Sequence, residues 1–190
     1  SSDLLQQAAG VNDNGAYPYL RSHPLTTERI ADMQSRLPLG GGRTSPPGPD
    51  LVQALFQTKE FLFVVSEKGD QNSSLSAYKR FPNGKYGLIN SFPTLGNDPC
   101  YVTYRESSQT VYVANYSGGS VSVFDFSKNS LKPIKQLLVY KGKSVNVARQ
   151  EAPHAHKVVI SPDNKYLFVT DLGCDRVYQH RILVDGKLWP

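Results

Sequence analysis

The stretch QTVYVANYSGGSVSVFDF, residues 109–126, carries the pattern on which the fold depends. It begins with an apolar run rich in β-branched and aromatic residues, which is typical of a β-strand. Asn115 and a turn containing Gly118 and Gly119 follow, and a second run then alternates apolar with polar residues. Two short runs of this kind around a glycine turn predict an antiparallel hairpin.

The same pattern occurs three times in the chain. EFLFVVSEKGDQNSSLSAYKR (60–80) and KYLFVTDLGCDRVYQHRI (165–182) align with the first stretch. Ser66, Asn115 and Asp171 mark the same place in the three copies, at spacings of 49 and 56 residues. A period of about 40–50 residues, with several short strands in each unit, is typical of β-propeller blades. An ordinary run of hairpins is the alternative interpretation.

Composition and charge restrict the class of protein. Hydrophobic residues make up 39% of the chain and charged residues 19%, which is a globular composition. The formal charge of +5 is modest and no lysine or arginine run stands out, so we expect no nucleic-acid partner. No apolar stretch approaches the ~18 residues of a membrane span.

The N-terminal residues and the cysteine content bear, less strongly, on the compartment and the redox state of the protein. The first residues, SSDLLQQAAG, lack the basic and apolar regions of a signal peptide, which by itself says little about the compartment. We expect a cytoplasmic protein. A signal could have been removed, which leaves the periplasm as the alternative. Cys100 and Cys174 are too few for a disulfide framework and are expected to be reduced thiols.

The amino-acid composition of the chain changes near residue 50. Lysine is absent from residues 1–50, whereas residues 51–190 contain twelve lysines. The stretch PLGGGRTSPPGPD (38–50) is rich in helix and strand breakers and reads as a linker. We therefore predict three segments, and within the first a short helix capped by Thr26. They are a helical tail (1–37), a Pro/Gly-rich linker (38–56) and a β domain (57–190).

Three segments of the β domain carry a family resemblance. They are NDPCYVTY (97–104), VYVANYSGGSVSVF (111–124) and RQEAPHAHKVVISPDNKYLFVTDLGCDRVY (149–178). With the blade period, they make the chain from about residue 57 to its end similar to the lactonase family of seven-bladed β-propellers, which includes 6-phosphogluconolactonases. The resemblance implies an all-β fold, here a partial β-propeller of about three four-stranded antiparallel blades after a short N-terminal helical tail.

Three blades do not close a ring, because the family uses seven. Open sheet edges and uncovered blade faces favour pairing or aggregation. We therefore expect either self-association through exposed blade faces or a truncated, incomplete fold.

The first fifty residues resemble a different family. NDNGAYPYLRSHPLTTERIADMQSRLP (12–38) is similar to the region after the catalytic core of M48-type zinc metallopeptidases. The zinc motif of that class, His-Glu-x-x-His, does not occur in the chain. The hypothesis is a chimera that joins a metallopeptidase tail to a lactonase fragment near residues 40–56.

The candidate site lies in RQEAPHAH, residues 149–156. Hydrolysis of a lactone needs an activated water and a positive group for the anionic part of the substrate. Histidine suits the first task and arginine the second. If residues 154–160 form the first strand of a blade, His154 and His156 lie on the same face. The resemblance implies that this strand faces the central channel, where family ligands bind.

The resemblance implies metal-independent hydrolysis of a sugar lactone in the intact parent, as in 6-phosphogluconolactonases, with no cofactor. An inactive truncated chain is left open. The alternatives are a non-catalytic propeller scaffold and, more remotely, a metallopeptidase fragment. The predicted catalytic residues are His154, His156 and Glu151, and the predicted substrate-binding residues are Arg149, Gln150, Asn115 and Tyr116.

Several of these residues have other interpretations. Arg149 and Glu151 could form an ion pair, and the histidine pair could begin a metal site, although no third ligand is apparent. Asn115 and Tyr116 could belong to a hairpin turn in which the adjacent glycines adopt positive φ. Asp171 is expected to cap a turn, and His180 to be exposed on an outer strand.

Overall fold

A computed structural model describes residues 52–66 and 72–189. Within these ranges the chain forms eleven strands and one turn of 3-10 helix, Glu106–Ser108. The strands are β1 (Val52–Gln57), β2 (Phe61–Ser66), β3 (Ser74–Arg80), β4 (Tyr86–Pro93), β5 (Pro99–Arg105), β6 (Thr110–Asn115), β7 (Ser120–Ser127), β8 (Ser130–Val139), β9 (Ala155–Ile160), β10 (Tyr166–Asp171) and β11 (Arg176–Arg181). The helix predicted in residues 1–37 lies outside the described residues.

The strands form three antiparallel sheets, each made of consecutive strands. The orders are β1-β2-β3-β4, β5-β6-β7-β8 and β11-β10-β9. In the third sheet the described residues supply three strands rather than four, and an isolated antiparallel bridge joins Ile182 to Leu188 beyond β11. The prediction of an all-β partial propeller with about three blades is confirmed.

The first sheet begins earlier than the sequence suggested. β1 starts at Val52 and pairs antiparallel with β2, so residues 52–56 belong to the sheet and not to the linker. The breaker-rich stretch ends at Asp50, and the residues after it, VQALFQ, are apolar enough to pair. β1 thus lies within the stretch 38–56 that the sequence analysis assigned to the linker, except for its last residue, Gln57.

The equivalence of Ser66, Asn115 and Asp171 is visible in the sheets. Each of these residues ends the second strand of its sheet, and each pairs with the first residue of the first strand. The first strand is then interrupted at the same place in all three sheets, where one extra residue makes a β-bulge. The extra residues are Gln53, Cys100 and His156.

The first strands of the three sheets are neighbours. β5 contacts β1 on one side and β9 on the other, and β4 contacts β8 at the far side of the first two sheets. This is the arrangement of consecutive propeller blades, whose first strands line the axis. It places β9, with His156 in its bulge, on the inner side.

The strand β6 shows why these sequences fold in this way. All six of its residues are buried, because the second sheet is covered on both faces. Val111 and Val113 join a core cluster with Phe63 of the first sheet, whereas Tyr112 and Ala114 join a cluster with residues of the third sheet. The alternation of side chains along a strand therefore builds two cores from one apolar run.

His180 is buried, with 7% of its surface exposed, although the sequence predicted an exposed position. Its Nδ1 lies 3.0 Å from the carbonyl oxygen of Trp189, and its Nε2 lies 2.9 Å from the Tyr140 hydroxyl. A carbonyl only accepts, so Nδ1 carries the proton and Tyr140 donates to Nε2. The prediction failed because Tyr140, at the end of the second sheet, covers a face that β11 alone would leave open.

The stability of the protein is expected to fall on acidification because of His180. Burial lowers the pKa of this imidazole, so between the pKa of the folded state and the ordinary value of about 6.5 only the unfolded chain takes up the proton. The free energy of unfolding then decreases as pH falls below about 6.5, by at most about 1.4 kcal/mol per pH unit for one proton. Urea unfolding of the wild type and of His180→Gln between pH 7.5 and 5 measures this. The free energy of unfolding of the variant should depend less steeply on pH than that of the wild type. Equal slopes for the two proteins would contradict the role assigned to His180.

Candidate functional site

The loop before β9 is held by Gln150. Its side-chain oxygen accepts a hydrogen bond from the Asn146 backbone N–H at 2.9 Å, and its Nε2 donates to the Leu172 carbonyl at 3.0 Å. The amide thus links the loop to the turn that follows β10. Gln150, predicted to bind substrate, has both of its polar atoms engaged in the structure.

His154 is fixed at the entrance to β9. Its backbone N–H donates to Asp171 Oδ1 at 2.7 Å, and its carbonyl accepts from the Leu172 N–H at 3.0 Å. The residue is 8% exposed. Its ring stacks on the ring of Tyr116, with centroids 4.5 Å apart and planes 11° apart.

Both ring nitrogens of His154 face oxygen atoms. Nδ1 lies 3.3 Å from the Tyr116 carbonyl oxygen, and Nε2 lies 3.3 Å from Glu151 Oε1. A neutral imidazole can donate from only one nitrogen, whereas the imidazolium donates from both. Each ring nitrogen of His154 thus has an oxygen acceptor nearby, and Glu151 is its exposed carboxylate partner.

His156 occupies the bulge of β9 and contacts the same tyrosine. Its ring meets that of Tyr116 edge-on, with centroids 5.9 Å apart and planes 79° apart. His156 is half-buried, and its carbonyl accepts a hydrogen bond from the Cys100 thiol at 3.2 Å. A bulge redirects the side chain that it carries, and bulges are frequent beside active sites. Tyr116 thus lies between the two imidazoles.

Arg149 completes the cluster at the hydroxyl end of Tyr116. Burial raises the pKa of the Tyr116 hydroxyl, and the guanidinium of Arg149, which is hydrogen-bonded to it, acts in the opposite direction. The structure therefore gathers five of the seven predicted site residues around one tyrosine ring. They are Arg149, Glu151, His154, His156 and Tyr116 itself.

Asn115 lies beside this cluster but is directed into its own hairpin. It is fully buried, and its Nδ2 donates to Ser120 Oγ at 3.0 Å and to Ser122 Oγ at 2.8 Å. These contacts agree with the alternative interpretation, in which Asn115 is a structural residue of the hairpin. Of the two adjacent glycines, only Gly119 has a positive φ, +51°, and a β-carbon there would lie 2.7 Å from the Pro153 carbonyl oxygen.

Asp171 is the residue whose role the sequence anticipated only in part. Its Oδ1 accepts from the Cys174 N–H at 3.0 Å, which is the expected turn cap. The same oxygen also binds the His154 N–H, and that contact was missed. The repeat alignment carried a usable signal, since it placed Asp171 at the end of the strand that pairs with β9.

The described residues hold no group of three histidines, cysteines or acidic residues that could bind a metal ion. In the same part of the chain no helix has the length and apolar character needed to cross a membrane.

The chain is similar to lactonases along most of its length. The family described as "Lactonase, 7-bladed beta-propeller" matches residues 19–189. A Bacillus subtilis (strain 168) protein named 6-phosphogluconolactonase is 34% identical over 181 residues, covering 94% of this chain and 49% of that protein. The chain thus spans about half the length of this relative, and 39% of a Staphylococcus aureus relative that is 28% identical over 135 residues.

Solved structures show the same likeness. A putative 6-phosphogluconolactonase from Bacteroides fragilis has a TM-score of 0.68 and 33% identity, over 78% of this chain and 41% of its own. The periplasmic gluconolactonase of Pseudomonas aeruginosa has a TM-score of 0.66 and 32% identity, over 80% of this chain and 44% of its own.

The comparisons give no support to a metallopeptidase chimera. The family match begins at residue 19, inside the segment that resembled a metallopeptidase tail, and runs across the predicted junction at 38–56 without a break. The matched range covers both the candidate site and the three sheets. The chain belongs to the lactonase family of seven-bladed β-propellers.

Proposed function

We propose that the protein hydrolyses a sugar lactone, with 6-phosphogluconolactone as the first candidate substrate. The observation that carries this proposal is the arrangement of His154 and His156 around Tyr116, with Glu151 and Arg149 at its edges. Relatives named 6-phosphogluconolactonase and gluconolactonase support the substrate class. Because the chain spans about half of such relatives, the activity is proposed for the whole protein.

In the proposed reaction, His156 acts as the general base. Its half-buried ring takes a proton from a water molecule, whose oxygen attacks the lactone carbonyl carbon. A tetrahedral intermediate forms, and its negatively charged oxygen needs a hydrogen-bond donor that stabilises it. The C–O bond to the ring oxygen then breaks, and the product is a hydroxy acid in its carboxylate form.

His154 is suited to the opposite role, that of a proton donor. Both of its ring nitrogens lie near oxygen acceptors, and in the proposed reaction the ring donates a proton to the departing ring oxygen and regains one later. Glu151 stabilises the charge of the protonated ring. This division assigns different tasks to two histidines that share one tyrosine.

Arg149 binds the anionic group of the substrate. A guanidinium offers a planar pair of donors that fits a phosphate or a carboxylate. Its hydrogen bond to the Tyr116 hydroxyl holds the positive charge beside the ring that both imidazoles contact. Substrates without an anionic group should therefore show a higher KM and a similar kcat.

The test is a lactone-hydrolysis assay of the whole purified protein, combined with its mass in solution by light scattering. We expect 6-phosphogluconolactone and glucono-δ-lactone to be hydrolysed faster than in buffer, with the lower KM for the phosphorylated substrate. Hydrolysis at the uncatalysed rate by folded protein would overturn the proposal and favour a non-catalytic scaffold. A discrete oligomer would support self-association through exposed apolar residues such as Val177 and Trp189, which are 65% and 64% exposed.

For the compartment, we propose the cytoplasm. The sequence contains only two cysteines, a low content that is usual for proteins of reducing compartments. The periplasm is the alternative, since one structural neighbour is named as a periplasmic gluconolactonase. Fractionation of the source cells followed by immunoblotting decides between the two.

A further inference from the structure

The carboxylate of Asp171 makes two bonds with one oxygen. Oδ1 accepts from the His154 N–H at 2.7 Å and from the Cys174 N–H at 3.0 Å. Asp171 is 2% exposed, so these bonds lie out of contact with water. A charged acceptor makes hydrogen bonds that are shorter and stronger than those of neutral groups. One buried oxygen therefore joins the start of β9 to the turn after β10.

Within the described residues, the equivalent side chains of the other two sheets bond to the third strand of their own sheet. In the first sheet, Ser66 Oγ lies 3.1 Å from Ser74 Oγ. In the second, Asn115 binds the hydroxyls of Ser120 and Ser122. These bonds remain between the second and third strands of each sheet. In the third sheet, which carries the histidine pair, the equivalent residue instead bonds to the start of the first strand.

The turn after Asp171 also packs directly against the histidine segment. A β-carbon on Gly173 would lie 1.7 Å from the Ala152 carbonyl oxygen and 2.9 Å from His154 Cδ2. The neighbouring Leu172 N–H donates to the His154 carbonyl. His154 is thus held at its N–H, at its carbonyl and at the edge of its ring.

We propose that Asp171 is a positioning residue for His154. It holds the backbone at the point where β9 begins, and that position sets the stacking of the imidazole on Tyr116 and the contact of its Nε2 with Glu151. The consequence for catalysis rests on the proposed lactonase function. The positional part of the proposal does not depend on it.

Two substitutions at Asp171 separate geometry from charge. Asp171→Asn keeps an oxygen that can accept both N–H groups and removes the charge. Asp171→Ser, which places there the residue type found in the first sheet, is too short to reach both. Ser161→Ala is the matched control: Ser161 accepts from the Tyr166 N–H at 2.9 Å at the opposite end of the same hairpin, so it weakens the hairpin away from the site.

The first readout is the NMR signal of the His154 imidazole, assigned by its loss in His154→Gln. Protons stacked over a tyrosine ring are shifted upfield, and Tyr116→Leu calibrates that shift. We expect the shift to persist in Asp171→Asn and Ser161→Ala and to be lost in Asp171→Ser. Retention of the shift in a folded Asp171→Ser would overturn the proposal.

The second readout is the kinetics of lactone hydrolysis. We expect Asp171→Ser to lower kcat about tenfold to a hundredfold with little change in KM, because a small displacement of a catalytic group has effects of this size. Asp171→Asn should stay within about threefold of the wild type. If Asp171→Ser does not fold, the NMR spectrum of Asp171→Asn tests the proposal instead. Loss of the upfield shift of the His154 ring in a folded Asp171→Asn would contradict positioning by the Asp171 oxygen. If the wild type has no lactonase activity, the proposed function is refuted. The positioning role of Asp171 is then tested by the NMR experiment alone.

Discussion

Replacing His156 with alanine is expected to lower kcat for lactone hydrolysis by two to four orders of magnitude, the range typical of a removed general base. The imidazole that would activate water lies in the bulge of β9, edge-on to Tyr116 at 5.9 Å. Alanine retains the backbone and the bulge but leaves no group to accept the proton. KM should change little, because Arg149 still binds the anionic group. Steady-state kinetics on 6-phosphogluconolactone measures both constants.

Two further variants make this result interpretable. His180→Gln changes a histidine whose ring nitrogens bond to Tyr140 and to the Trp189 carbonyl, and should leave kcat near the wild-type value while lowering stability. His154→Gln should lower kcat through loss of the proton donor. If His156→Ala keeps full activity and only His154→Gln loses it, the roles of the two histidines are reversed. Full activity in both would exclude a histidine mechanism.

Replacing Phe126 with alanine is expected to reduce the free energy of unfolding by about 3–5 kcal/mol, as for other large core aromatics. Phe126 is 2% exposed. Its ring meets Phe61 at 4.8 Å and Phe63 at 4.9 Å, both nearly perpendicular. These two partners belong to the first sheet and Phe126 to the second, so the cavity would open between two blades. Urea unfolding followed by circular dichroism measures the loss.

The control for this prediction is another phenylalanine. Phe81 is 44% exposed, so Phe81→Ala should cost less than about 1 kcal/mol. Phe126→Leu, which fills most of the cavity, should lie between the two alanine variants. Equal losses for Phe81→Ala and Phe126→Ala would show that the contact between the first two sheets contributes little to stability.

Short-range patterns predicted the strands and much of the site. The three aligned copies gave three antiparallel sheets, and Ser66, Asn115 and Asp171 occupy the equivalent position that the alignment assigned to them. Period-two alternation and glycine turns act within a few residues, so one sequence is enough to read them. The histidine pair was found in the same way, because both residues lie within one strand entrance.

The selection of the remaining site residues depended on contacts that a linear pattern does not show. Glu151 and Tyr116 contact the histidines and Arg149 bonds to Tyr116, whereas the side-chain NH2 groups of Gln150 and Asn115 donate to the Leu172 carbonyl and to hydroxyls of the hairpin. All are polar residues near the same turns. Which of them face the cluster is decided by how the end of β6 packs against the loop before β9.

The sequence by itself determined the all-β repeat, the hairpins and the candidate histidines of this protein, because strand alternation and turn formation are local properties of the chain. The tertiary structure alone decided the burial of His180 under Tyr140, the bond from Asp171 to His154, and the meeting of five site residues at Tyr116. Each of these contacts joins residues that are distant in sequence, by 40, 17 and 38 positions. Their formation depends on the register of neighbouring strands and on the packing of one sheet against the next, which local pattern does not specify.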